Sequence, residues 1–214
     1  VDKNHIGAEF GIEAQVTPTI KLKAAGSYGQ YTYANNPNIY LSADNQVVNY
    51  GETNLKDYRI AGGPQKAYSV GFEYRDPDFW NIGITTNYFS NAYIDVSSLA
   101  RSANFGLDFD GQPINGYDED IAKDLLQQEE FDDYVLVNII GGKSWKIDDY
   151  FVGFFATINN VFNEEYKTGG FEQSRLSKYD NVLEDKSREY GPVFGSRYFF
   201  GNGTTYYLNV YFRF

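Results

Sequence analysis

The sequence contains no cysteine, no methionine and only one histidine, His5, in 214 residues. Without cysteine there is no disulfide framework and no thiol nucleophile, and the redox compartment is left open. A lone histidine cannot build a multi-histidine metal centre or a histidine-based triad within the chain. His5 therefore reads as a lumen or rim side chain. Positive charge is also scarce: 18 basic residues face 29 acidic ones, for a net charge of -11. That balance excludes the basic footprint a nucleic-acid partner requires. No stretch approaches the roughly 18 consecutive apolar residues of a transmembrane helix. A transmembrane barrel stays open, because its strands are only half apolar. The opening "VDKNHIGAEF" shows no charged segment followed by an apolar run, so the chain reads as a mature protein or a piece of one.

Aromatics are abundant, with 20 Tyr and 17 Phe. Such rings suit interfaces and sheets. The mean hydropathy is -0.49, yet the chain stops on the apolar edge of "GTTYYLNVYFRF". There Tyr206, Leu208, Val210, Phe212 and Phe214 share one face of a strand.

Alternation of this kind runs through the chain. In 5–16, Ile6, Ala8, Phe10, Ile12, Ala14 and Val16 oppose Glu9, Glu13 and Gln15. After "TPT", Ile20, Leu22, Ala24 and Tyr28 oppose Lys21, Lys23 and Ser27. A three-residue turn over 17–19 would set Glu13 opposite Lys23, keeping apolar faces together and pairing opposite charges. The same pattern predicts strands over 67–75, 80–95, 134–146, 150–162 and 203–214, seven in all, with the facing of 134–146 ambiguous.

Short connections near 17–19, 76–79 and 147–149 alternate with long ones near 34–66, 96–133 and 163–202. Long connections are rare in compact soluble domains. Short turns on one side and long loops on the other describe an outer-membrane barrel. Soluble antiparallel sandwiches alternate too; strand length, the loop rule and aromatics near strand ends favour the membrane barrel. The loops hold the acidic clusters "DED", "EEFDD" and "EDKSRE". Within "DEDIAKDLLQQEEF" the spacing of Ile121, Ala122, Leu125 and Leu126 predicts a short helix capped by Asp118.

Counting gives the sharpest expectation. Single-chain bacterial barrels have even strand numbers with both termini on the periplasmic side. If the last strand descends, the first of seven descends too, so the chain is expected to be the C-terminal part of a larger barrel. Taking 193–200 as an eighth strand breaks the loop rule, so 193–202 reads as an extension of the final strand.

Several stretches carry a family resemblance. "TINNVFNEEYKTGG" resembles the penultimate-strand motif of TonB-dependent outer-membrane receptors, of Bacteroidetes type. "EYRDPDFWNIG" with "NYFSNAYID", and the closing "GNGTTYYLNVYFRF", are similar to hairpin and final-strand segments of that family. The resemblance implies a 22-stranded all-β barrel filled by an N-terminal plug that contacts TonB. It implies import of a scarce nutrient, such as an iron chelate, vitamin, oligosaccharide or peptide. In the SusC-like branch it allows a surface lipoprotein partner. The terminal pattern from Tyr206 to Phe214 resembles the signal read by the outer-membrane assembly machinery; covering lipid requires the same residues. Two alternatives stay open: a receptor-like barrel serving as scaffold of an outer-membrane complex, and a soluble carbohydrate-binding sandwich.

No enzyme, cofactor or metal is expected. "GGKS" at 141–144 lacks the preceding glycine and following helix of a phosphate loop. "DFDGQ" at 108–112 lacks most ligands of a calcium loop. "NGT" at 202–204 reads as a bend. Glu9, Glu13, Lys21, Lys23, Glu73, Arg75 and Asn87 are expected to face the lumen and a plug. Tyr40, Tyr50, Tyr58, Arg59, Tyr117 and Tyr179 are the candidate ligand contacts, as stacking and hydrogen-bonding groups in long loops.

Overall fold

A computed structural model describes residues 1–43, 46–174 and 177–214. Its centre is a seven-stranded antiparallel sheet of β1 (Lys3–Gln15), β2 (Ile20–Tyr33), β5 (Lys66–Arg75), β6 (Trp80–Ser90), β7 (Tyr134–Ile147), β8 (Tyr150–Asn159) and β11 (Thr205–Arg213), in that spatial order. Two separate ribbons pair β3 (Asn38–Ala43) with β4 (Gln46–Glu52), and β9 (Lys167–Phe171) with β10 (Arg197–Phe200). Helix α1 (Glu119–Leu125), helix α2 (Tyr179–Lys186) and a 3-10 turn at Ala103–Gly106 complete the described elements.

Residues directly opposite in an antiparallel pair share a face, so the register sorts every side chain. One row runs Ala14, Leu22, Phe72, Ile84, Ile139, Ile158 and Tyr206 across all seven strands. Its apolar character places Val135, Val137 and Ile139 of β7 on this face and settles the facing of 134–146. The opposite face carries the row Gln15, Lys21, Glu73, Gly83, Ile140, Thr157 and Tyr207. The turn over 17–19 does set Glu13 opposite Lys23.

The short connections cluster at one end of the sheet and have local reasons to be short. Thr17 Oγ1 accepts the Ile20 amide at 3.0 Å, closing the first turn. Asp76 Oδ1 accepts the Asp78 amide at 2.8 Å and Pro77 fixes the bend, with Phe79 at φ 65. Asp148, at φ 53, makes the third. The long connections gather at the other end and are folded, not bare.

Three expectations are corrected in detail. The strand expected over 80–95 stops at Ser90, because Asn91 turns to φ 56 and breaks the extended run. The strand over 150–162 stops at Asn159 for the same reason, with Asn160 at φ 49. Residues 193–202 do not extend the final strand; 197–200 form β10, paired with β9. Helix α2 is an element the sequence reading did not anticipate. The sheet is open: β1 and β11 form its two edges. Seven antiparallel strands leave both edges running the same way, so antiparallel closure needs an odd number of additional strands between them.

The distribution of burial is inverted relative to an ordinary sandwich. The buried hydrophobic side chains are Leu55, Ala92, Ile94, Val96, Ala100, Phe105, Ile114, Ala122, Phe131 and Tyr179, all in the long connections or α1 and α2. Among the described residues of the seven-stranded sheet, no apolar side chain is buried. Ile12, Val70 and Val210 are 67%, 60% and 70% exposed. An apolar face spanning seven strands far exceeds the few hundred Å² that soluble monomers leave open.

Candidate functional site: the loop cap and its groove

The three long connections interlock into one cap. Its main core joins Ala100, Phe105, Ile114, Ala122 and Tyr179, with Leu125, Leu126 and Val182 packed against them. A second core joins Ala92, Ile94 and Phe131 under Tyr198. Asp118 caps α1 by accepting the Asp120 and Ile121 amides at 2.9 and 3.0 Å, and Ala122 turns inward, as its spacing predicts.

Arg101 is the central tie, 2% exposed. Its guanidinium makes a two-pronged ion pair with Glu172 of the third connection, with Nη2 to Oε1 at 2.9 Å. It also donates to the carbonyls of Ser97 and Leu126 at 3.2 and 2.8 Å. It lies over the Tyr58 ring at 4.5 Å. Burial works against its charge, but the Glu172 hydrogen bond and charge outweigh this and hold its pKa above the usual value. Its Nε is buried without a hydrogen-bond partner. Further ties run from Thr53 Oγ1 to the Ser98 carbonyl at 2.6 Å and from Gln128 Nε2 to the Arg59 and Ile94 carbonyls at 2.9 and 2.8 Å. Lys178 Nζ donates to Asn104, Leu107 and Asp108 at 3.1, 2.8 and 2.7 Å.

Beside Arg101 the cap opens into a groove of about 870 Å³. Ala100, Phe105, Ile114, Ala122 and Leu126 form its apolar floor. Glu52, Asn54, Tyr58, Tyr117, Glu119 and Lys123 stand around it. The groove thus unites Tyr58 and Tyr117 of the expected ligand contacts. Burial, then the Glu119 charge, raises the Tyr117 pKa, so the phenol stays neutral. Tyr179 is 3% exposed; it props the floor from beneath, its ring 4.9 Å from that of Tyr117, and offers no open face. Arg59 is turned toward the Tyr93 ring at 5.9 Å. Tyr40 and Tyr50 belong to the β3–β4 ribbon and do not line the groove. Sequence reasoning missed Arg101 and Glu172, whose one signal is a lone arginine amid "SSLARSAN" in a strongly acidic connection.

On the sheet's polar face, five expected residues form a charge ladder. Lys21 meets Glu13 at 2.6 Å, Lys23 lies 3.8 Å from Glu13 and bonds Glu73, and Arg75 lies 3.7 Å from Glu73. Glu9 and Asn87 share that face beside Ser27 and Ser69 but stand outside the ladder. "GGKS" lies inside β7. The Asp108 carboxylate accepts the Asp110 and Gln112 amides at 2.9 and 2.8 Å, shaping its own turn.

Charge is segregated by region. Residues 1–33, 66–90, 134–162 and 203–214 carry eight acidic and eight basic side chains, so the net -11 belongs to the three long connections. The connection 91–133 alone holds eleven acidic residues against Arg101 and Lys123.

An open, long-stranded antiparallel sheet with one apolar exposed face and a loop cap at one end defines the class. Among solved structures, the chain is similar to the siderophore receptor PiuA from Acinetobacter baumannii, with a TM-score of 0.56 at 12% identity. The alignment covers 99% of this chain and 22% of that one, so the chain spans about a fifth of its structural neighbour. At that identity the likeness is one of fold. No protein-family profile and no curated protein matches the sequence.

Proposed function

We propose that the chain is an outer-membrane barrel segment of a TonB-dependent transporter that imports a nutrient. The observation that carries this reading is the inverted burial: seven long strands expose their apolar face while the cap holds the buried core. Strands of 9–14 residues match the span of the hydrocarbon layer, which takes about 9–11 tilted residues. The apolar row would meet lipid and the charge ladder would meet a plug, whose polar groups it can bond. The odd-strand requirement fits a barrel of which these seven strands, of 22, are the last. The short turns would then be periplasmic and the cap extracellular, where Tyr206, Leu208, Val210, Phe212 and Phe214 descend to end at the periplasmic rim for the assembly machinery. Tyr58 and Tyr117 stand where a ligand arriving from outside would first be held. The Bacteroidetes-type affiliation and a surface lipoprotein partner belong to the same proposal.

The test is twofold and uses the whole cellular protein. Intact cells treated with protease should lose the cap connections while the short turns survive. Loss of the gene should impair growth on one nutrient class to the same degree as loss of TonB. Protection of the cap in intact cells, or a growth defect that TonB does not share, overturns it.

A further inference from the structure

We infer that the cap groove binds a cationic ligand with an apolar body, of the class of short lysine- or arginine-bearing peptides. The inference rests on the reading that the cap faces outward, and it deepens that reading by naming the substrate class. The floor of Ala100, Phe105, Ile114, Ala122 and Leu126 takes an apolar group, and a cavity of about 870 Å³ accepts a few residues. Around it stand two carboxylates, Glu52 and Glu119, that have no cation partner among the described residues. The lining cations are already matched. Arg101 is neutralised by Glu172, and Lys123 lies 3.1 Å from Asp120. An entering ligand therefore meets two unpaired carboxylates, while each lining cation already has a carboxylate beside it.

Complementarity extends beyond the rim. The 91–133 connection, which supplies most of the groove, carries a net charge of -9. A low-dielectric cleft walled by one sign of charge focuses its field and concentrates ligands of the opposite sign. Anionic chelates are repelled by the same field. Neutral sugars find little to stack on. Phe105 is buried, one face of Tyr58 is covered by Arg101, and among the lining rings Tyr117 alone is exposed. That ring suits an ammonium or guanidinium as well, through its negative face.

The test measures binding to the full-length protein in detergent, with lysyl-phenylalanyl-leucyl-lysine amide as the probe. Its doubly ε-acetylated form and maltotetraose are the comparison ligands. The cationic peptide should bind, and more weakly as salt rises. Acetylation, or the Glu52→Gln/Glu119→Gln double substitution, should each weaken it about tenfold, the scale of two exposed ion pairs lost. Retention of the heat-stable folded band on gels checks that the double variant is assembled. Equal binding of the acetylated peptide, tighter binding of maltotetraose, unchanged binding to the double variant, or no binding of the cationic peptide overturns the inference. A Lys123→Cys variant, probed in intact cells with an impermeant maleimide, reads orientation separately. Absence of labelling there contradicts the outward-facing cap, whatever the peptide does.

Discussion

Asn160 shows how much one side chain can hold. It sits at φ 49, a left-handed conformation that asparagine tolerates and β-carbon-bearing residues generally avoid. Its Oδ1 accepts the Glu164 amide at 2.9 Å, and its Nδ2 donates to the Glu164 and Asn202 carbonyls at 2.8 and 3.1 Å. Its own amide donates to Asn138 Oδ1 at 2.9 Å, and its carbonyl accepts Thr204 Oγ1 at 2.7 Å. Asn163 adds a bond to the Thr204 amide at 3.0 Å. The "NNVFN" motif is thus a knot tying the ends of β7 and β8 to the start of β11. Replacing Asn160 by Ala should destabilise the fold by about 3 kcal/mol, from lost bonds and backbone strain together. Asn160→Gly, which restores the backbone freedom, should cost about 2 kcal/mol. Asn159→Ala loses one exposed bond to Thr205 at 3.2 Å and should cost under about 1 kcal/mol. Guanidinium unfolding of the three variants checks the order. The motif was visible in the sequence, but its purpose was not, because its partners lie 22 and 42 residues away along the chain.

At the scale of elements, the seven sheet strands and helix α1 were legible, and the rest of the cap was not. Period-two alternation is local and survives any tertiary context, so β1, β2, β5 and β11 fall within a few residues of the expected bounds. Ribbon β9–β10 and helix α2 have no such signature. Lys178 precedes α2 without a side-chain cap, and β10 has four residues. These elements exist because the cap core and the Arg101–Glu172 pair hold them, which no local pattern reveals. For the candidate site, Tyr58 and Tyr117 were legible as loop aromatics, while Tyr179 proved to be core. Residue type alone cannot tell a buried ring from an open one. The terminal strand carries a prediction of its own. Its register with β8 puts Tyr206, Leu208, Val210 and Phe212 on the sheet's apolar face, in the alternation the assembly signal requires. Deleting Phe214 should lower assembled protein in outer-membrane fractions more than Val70→Ala, which truncates the same apolar face internally. Equal yields would assign Phe214 to lipid covering alone.

On the scale of the whole molecule, charge, burial and connection length divide at the same boundary. The sheet is neutral in sum, exposes its apolar side chains and has short turns at one end. The cap carries the whole net charge and, among the described residues, every buried hydrophobic side chain. A soluble sandwich would bury its apolar rows against a second sheet, and the ribbons β3–β4 and β9–β10 are too small to serve. On the proposed reading a bilayer would remove the contradiction, because hydrocarbon would play the part of the missing layer. That reading would also account for the hydrophilic average of the chain. Half of each strand is polar, and the cap stands in water.

The absence of cysteine makes the decisive measurement clean, since each single substitution introduces the only thiol in this chain. Cysteines placed in turn from Tyr68 to Tyr74 of β5, spin-labelled in outer membranes, report accessibility to lipid-soluble oxygen and to a water-soluble nickel chelate. Oxygen accessibility should peak at positions 68, 70, 72 and 74 and fall at 69, 71 and 73, an alternation of period two. A flat profile, or peaks at 69, 71 and 73, would contradict a sheet whose apolar face meets lipid.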